Sequence, residues 1–171
     1  KGLMNRNELL ELYSNAYSDL ITALKEIPKE IWQYKPAPNK WSVHEVLIHI
    51  ADSEASSFAR ARKIICESGS TIMAYDENAW AVKLNYHDQS IEDSLELFRQ
   101  LRIMTYNVIK NLPEETWQNF ILHPDNGKMT LDDWLKVYAD HITVHINQIK
   151  RNLNEWNKMK AHPSEWSPSD N

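Results

Sequence analysis

The residues with the clearest capacity for chemistry are two histidines one helical turn apart, in His141-Ile142-Thr143-Val144-His145. Side chains at i and i+4 of a helix share a face, roughly 5–6 Å apart at Cβ, so two imidazoles there can converge on one metal ion. No Glu follows the first histidine, so the general base of the helical zinc-protease motif is missing. Seven histidines occur, at 44, 49, 87, 123, 141, 145 and 162. An internal repeat adds one of them to the pair. A shift of 85 residues lays Leu10-Glu11-Leu12 on Leu95-Glu96-Leu97, Pro28 on Pro113 and Trp32-Gln33 on Trp117-Gln118. A shift of 88 then lays Ser42 on Thr130, Glu45 on Asp133 and Ala51-Asp52 on Ala139-Asp140. In that register His49 falls on Val137, one turn before His141, on a stripe that also carries Trp134 and Tyr138. His49, His141 and His145 therefore point toward one interior. Each nitrogen of a buried neutral imidazole needs a partner. A divalent ion satisfies one nitrogen on all three rings; the alternative is three core histidines satisfied by ordinary hydrogen bonds. Three protein ligands leave coordination positions open, as at catalytic rather than structural zinc sites. An ion held this way acidifies a water or holds a thiol as thiolate. Neutral imidazoles suit zinc, nickel, copper or iron(II). The expected ion is zinc or nickel, with iron or manganese as further options.

Four helical segments must position these residues. Leu9, Leu12, Tyr13, Ala16, Leu20, Ile21 and Leu24 recur at three- and four-residue steps, which predicts a helix over 7–26, closed by Pro28. Ser42-Val43-His44-Glu45 has the capping-box form and opens a helix over 43–67, before Gly69. Ser90-Ile91-Glu92-Asp93 and Thr130-Leu131-Asp132-Asp133 are looser boxes, with Asp in place of Glu, opening helices over 91–111 and 131–153. Residues 68–89 read as an irregular crossover with one short helix near 76–82, pinned to the bundle by Trp80. Residues 113–129, with Pro124 and Asn126-Gly127, read as a connection. A lone helix pair cannot bury its apolar stripe, so the two copies are expected to face each other. The predicted fold is all-α, a four-helix bundle of two pseudo-symmetric helix pairs with a long crossover. One domain over 1–160 precedes a loose polar tail over 161–171.

Composition narrows the function classes. The chain has 171 residues, 42% hydrophobic and 25% charged, within the range of a globular domain that folds without a metal. Nineteen basic against 24 acidic side chains leave −5, which argues against a nucleic-acid partner. Three glycines disfavour a phosphate-cradling loop, and the one cysteine, Cys66, excludes an intramolecular disulfide framework. Cys66 is expected to be a buried or inert thiol. No apolar run is long enough to span a membrane, and the expected location is cytoplasmic. Other residues have assigned places. His44, five positions before His49, points elsewhere, to the surface or cap region. Asp52, three after His49, is a candidate acceptor that orients an imidazole. Asp76 and Glu77 of the crossover, and His123 before Pro124, are the candidates to reach the open side of the metal as base, gate or lining.

At these residues the sequence resembles the DinB superfamily of four-helix-bundle metalloproteins, over roughly residues 5–155. It is most similar to the YfiT-like branch, described as metal-dependent hydrolases. The carriers are Lys40-Trp41-Ser42-Val43-His44-Glu45-Val46-Leu47-Ile48-His49-Ile50-Ala51-Asp52, Tyr75-Asp76-Glu77-Asn78-Ala79-Trp80, His123-Pro124-Asp125, and Tyr138 to Ile149 with the His141/His145 pair. The resemblance implies a metal triad of His49, His141 and His145, a homodimer and a small-molecule substrate. Relatives include bacterial thiol transferases that use a low-molecular-weight thiol such as bacillithiol. The reading of function is a metal-dependent hydrolase that activates water at the triad. The alternatives are a metal-dependent thiol S-transferase or a non-catalytic metal- or small-ligand-binding protein.

Overall fold

A computed structural model describes residues 3–162; the expected loose tail lies outside them from residue 163 onward. Four long helices dominate: α1 (Arg6–Leu24), α2 (Val43–Cys66), α4 (Ile91–Ile109) and α5 (Leu131–Ala161), with a short α3 (Glu77–Lys83) in the crossover. The all-α bundle expected from periodicity is the fold. The Ser42 hydroxyl accepts the Glu45 N–H at 3.1 Å, while Glu45 accepts the Ser42 N–H at 2.8 Å. Thr130 and Asp133 close the same reciprocal box at 3.1 and 3.0 Å, so the shorter Asp side chain suffices there. Ser90 accepts from Asp93 N–H without the return bond. Asn5 and Glu8 form a further complete box, which starts α1 at Arg6.

The helices do not pair as the chain order suggests. α1 lies chiefly against α5, and α2 chiefly against α4. Under the repeat, α1 corresponds to α4 and α2 to α5, so these two contacts are equivalents of one another. Each copy leaves its own second helix and packs on that of the other copy, which interlocks the halves. Two apolar clusters result. One gathers Leu20, Val46, Leu47, Ile50, Phe98 and Ile142; the other gathers Tyr13, Ile64, Ile109, Trp117, Trp134 and Leu135. No helix among the described residues is long and apolar enough to cross a membrane.

Three local expectations need correction. α5 runs eight residues past 153, because Leu153 and Trp156 still pack on the first cluster and Trp156 meets Tyr34 edge-on at 5.0 Å. The 113–129 connection contains an antiparallel hairpin, β1 (Phe120–His123) and β2 (Gly127–Thr130), turned at Gly127 with φ +72°. An isolated hairpin is marginal in water; this one is held by bonds from Gly69 and Ile72 N–H to the Phe120 and Leu122 carbonyls, and by fully buried Ile121. The crossover is pinned by buried Ala81 and Tyr86, not by Trp80, which is 37% exposed and stacks on Tyr75.

Candidate metal centre

The interlocked packing lays α2 against α5 and brings His49 to the His141–His145 pair. Ring centroids stand 5.5 Å apart for 49–141, 4.9 Å for 49–145 and 4.4 Å for 141–145. One nitrogen from each ring lies within 4.8 Å of the other two. A common ion at about 2.1 Å from each nitrogen needs donors no more than about 4.2 Å apart. The Nε2 atoms of His141 and His145 are already 2.9 Å apart.

The surroundings fit a cation-binding role for neutral rings. His49 and His145 are buried, and His141 is half-buried. Burial, with the neighbouring histidines, holds the His49 imidazole down at about 3 and that of His141 at about 2; burial also lowers His145. All three are therefore unprotonated near pH 7, as a ligand must be. His145 Nδ1–H donates to Gln148 Oε1 at 2.8 Å, which leaves its Nε2 lone pair facing His141. Nδ1 of His49 and of His141 are buried with no hydrogen-bond partner in the structure. Trp41 packs on the His49 ring at 4.7 Å, and Asn152 fixes the Trp41 carbonyl at 2.9 Å.

The depressed values carry a pH consequence. A histidine with a folded pKa below its unfolded value near 6.5 favours the unfolded chain once protons become available. Its stabilising contribution is complete above about pH 6.5 and is lost as pH falls through that value toward the folded one. Each such ring adds up to about 1.4 kcal/mol per pH unit to the slope. Metal-stripped protein should therefore show a urea midpoint that falls steeply between pH 6.5 and 4, and His49→Gln should flatten that slope. Equal slopes for both proteins would contradict the assignment of the acid sensitivity to this cluster.

One side of the triad opens on a cavity of about 230 Å³, lined in part by Ser53, Arg60, Tyr75, Glu77, Tyr138 and His141. The crossover thus borders it, as does the hairpin through His123 and Asp125. Glu77 Oε2 lies 3.8 Å from His49 Nε2, the nearest carboxylate to the three rings among the described ion pairs. Asp76 turns elsewhere: its carboxylate accepts the Ala79 N–H at 3.0 Å and caps α3. His123 lines the cavity, but its Nδ1 is engaged by the Asp125 and Asn126 N–H groups at 3.1 and 3.3 Å. Asp52 accepts the Tyr86 hydroxyl at 2.5 Å, tying α2 to the crossover. His44 does point away from the triad, yet it is buried rather than superficial, with Nε2 bonded to the Gln89 carbonyl at 2.9 Å. Cys66 is exposed at the end of α2, not buried. Gln148, Trp41, Arg60 and Tyr138 were not singled out as site residues by the sequence. Gln148, three residues after His145, and Tyr138, three before His141, carried a usable signal on the same helical face.

Comparison with known proteins gives a family and a fold. Residues 12–149 match the family profile described as the DinB superfamily. A protein of Halalkalibacterium halodurans named "Putative metal-dependent hydrolase" is 28% identical over 115 residues, 67% of each chain. One of Bacillus cereus with the same name is 27% identical over 140 residues, 80% of each chain. Among solved structures, YfiT from Bacillus subtilis superposes with a TM-score of 0.81 at 21% identity, covering 92% of each chain. It is described as "a probable metal-dependent hydrolase with an unusual four-helix bundle topology".

Proposed function

The chain belongs to the DinB superfamily, and on that premise we propose that it is a metal-dependent hydrolase of small molecules, with the metal on His49, His141 and His145. The observation that carries the reading is the convergence of three neutral imidazoles at the edge of a cavity that also receives the Glu77 carboxylate. His49, His141 and His145 would hold a divalent ion there, which would supply Lewis acidity toward a carbonyl and a neighbouring water. The three imidazoles bring no negative charge, so they leave the ion's charge undiminished. Gln148 holds His145 in the tautomer whose Nε2 carries the lone pair. Trp41 packs against the His49 ring at 4.7 Å and so restrains its rotation. Glu77 is the group placed to take a proton from the attacking nucleophile at Oε2 and return it to the leaving group. It is 54% exposed, so it also stands at the cavity mouth. A zinc or nickel ion, from the imidazole donor set, a homodimeric assembly, from the family resemblance, and a cytoplasmic location, from the composition, complete the proposal.

The test is metal reconstitution followed by a panel of amide and ester substrates and of thiol-conjugation substrates. Glu77→Gln keeps the shape and removes the proton acceptor. It should lower kcat by about 10²–10⁴ while the bound metal, measured by atomic emission, stays at the wild-type level. A variant with wild-type kcat shows that Glu77 is not the base. Turnover confined to thiol conjugation replaces hydrolysis by thiol transfer.

A further inference from the structure

The cavity beside the triad contains a cation that the proposed chemistry does not use. Arg60 of α2 reaches into it, and among the described residues no carboxylate forms an ion pair with this guanidinium. Its Nη1 donates to the Tyr138 hydroxyl at 3.0 Å, and its Nη2 donates to the Met73 carbonyl at 3.4 Å. A guanidinium carries five N–H donors, so these two bonds orient the fork and leave donors unused. Tyr138 accepts from Arg60 through its oxygen, which leaves the phenolic O–H free to donate in turn. The Tyr138 ring packs 6.1 Å from the His141 ring, and both side chains line the cavity. The basic side chains that carry the fold's ion pairs, such as Arg102 with Glu54 and Arg6 with Asp132, have carboxylate partners. Arg60 does not, and it is held in place by neutral groups at a site that opens next to the triad.

We infer that Arg60 and Tyr138 form the receiving site for an anionic oxygen group, so that the substrate is a small carboxylate whose reacting bond lies toward His141. This deepens the hydrolase reading and rests on it. A planar guanidinium matches a carboxylate bidentately. Glu77 and Asp125 line the same cavity. Their charges disfavour a dianion, which selects a carboxylate over a phosphate monoester. The volume of about 230 Å³ admits a molecule of the size of an N-acyl amino acid rather than a polymer.

The probes are N-acetylglycine, its neutral counterpart N-acetylglycinamide, and methyl phosphate, titrated by calorimetry into metal-reconstituted protein. The metal content of every sample is measured separately. N-acetylglycine should bind wild-type protein at least about tenfold more tightly than the amide, the scale of a hydrogen bond to a charged group. Arg60→Gln should bring the two affinities within about threefold of each other with metal content unchanged, and Arg60→Lys should keep part of the preference. An equal preference in wild type and Arg60→Gln overturns the proposal, as does tighter binding of methyl phosphate than of N-acetylglycine. Should Arg60→Gln not fold, Arg60→Lys decides: an undiminished preference there overturns the bidentate site, and a partial one supports it. A wild-type protein that takes up no metal fails the hydrolase reading instead, and the metal measurement alone reveals it.

Discussion

His141→Ala should lower affinity for a divalent ion by at least about 100-fold. Loss of a group that merely orients a ligand costs about 10–100-fold, and loss of the ligand itself costs no less. His141 shares a 2.9 Å Nε2–Nε2 approach with His145 and a 5.5 Å ring separation with His49, so its removal leaves two donors facing a gap. The helices should remain. The variant deletes a half-buried ring whose Nδ1 has no partner, and the two apolar clusters are built from other side chains. The measurements are metal content after gel filtration and far-UV circular dichroism on the same sample. Catalysis should disappear with the metal while the helical signal holds. Retention of full metal content by the triple His49→Ala, His141→Ala, His145→Ala protein would place the ion elsewhere.

The second large effect concerns stability. Glu54 of α2 and Arg102 of α4 form a bidentate ion pair at 2.8 and 2.7 Å in the centre of the bundle, with side chains 1% and 2% exposed. Arg102 also donates to the Tyr13 carbonyl at 3.2 Å, and its guanidinium lies 3.9 Å over the Tyr13 ring. The Tyr13 hydroxyl donates to Glu54 at 3.3 Å. Three helices thus meet at one buried charge pair. Its net contribution is small, because desolvation offsets the attraction. Removing one partner, however, strands the other charge in the core. Arg102→Met should therefore cost about 3–5 kcal/mol, a large part of the stability of a domain of this size. The double variant Glu54→Leu, Arg102→Met should recover most of that loss, because no buried charge remains unpaired. Urea unfolding of the single and double variants decides it. A double variant as unstable as the sum of the two singles would show that the two side chains are not coupled and that a stranded charge is not the cause of either loss.

Helix existence, helix starts and the identity of the three histidines were readable in the residues, because each depends on neighbours within about four positions. Apolar spacing marks a buried face, and a hydroxyl with a carboxylate three residues on satisfies the free N–H groups of a helix start. The repeat carried the third histidine to the other two, since equivalent helices present equivalent stripes. Partner choice depended on the whole chain. Only the packing of α1 on α5 and of α2 on α4 decided that the copies interlock, and the contact of α2 with α5 is what sets His49 beside His145. The same holds for the hairpin, whose two short strands persist because Gly69, Ile72 and the second cluster support them. Asp52 bonds Tyr86, Asp76 caps its own helix, and Arg60 turns to Tyr138. For each of these side chains several partners were possible along the sequence, and the competition among them is settled only by which elements the tertiary fold brings within hydrogen-bond reach.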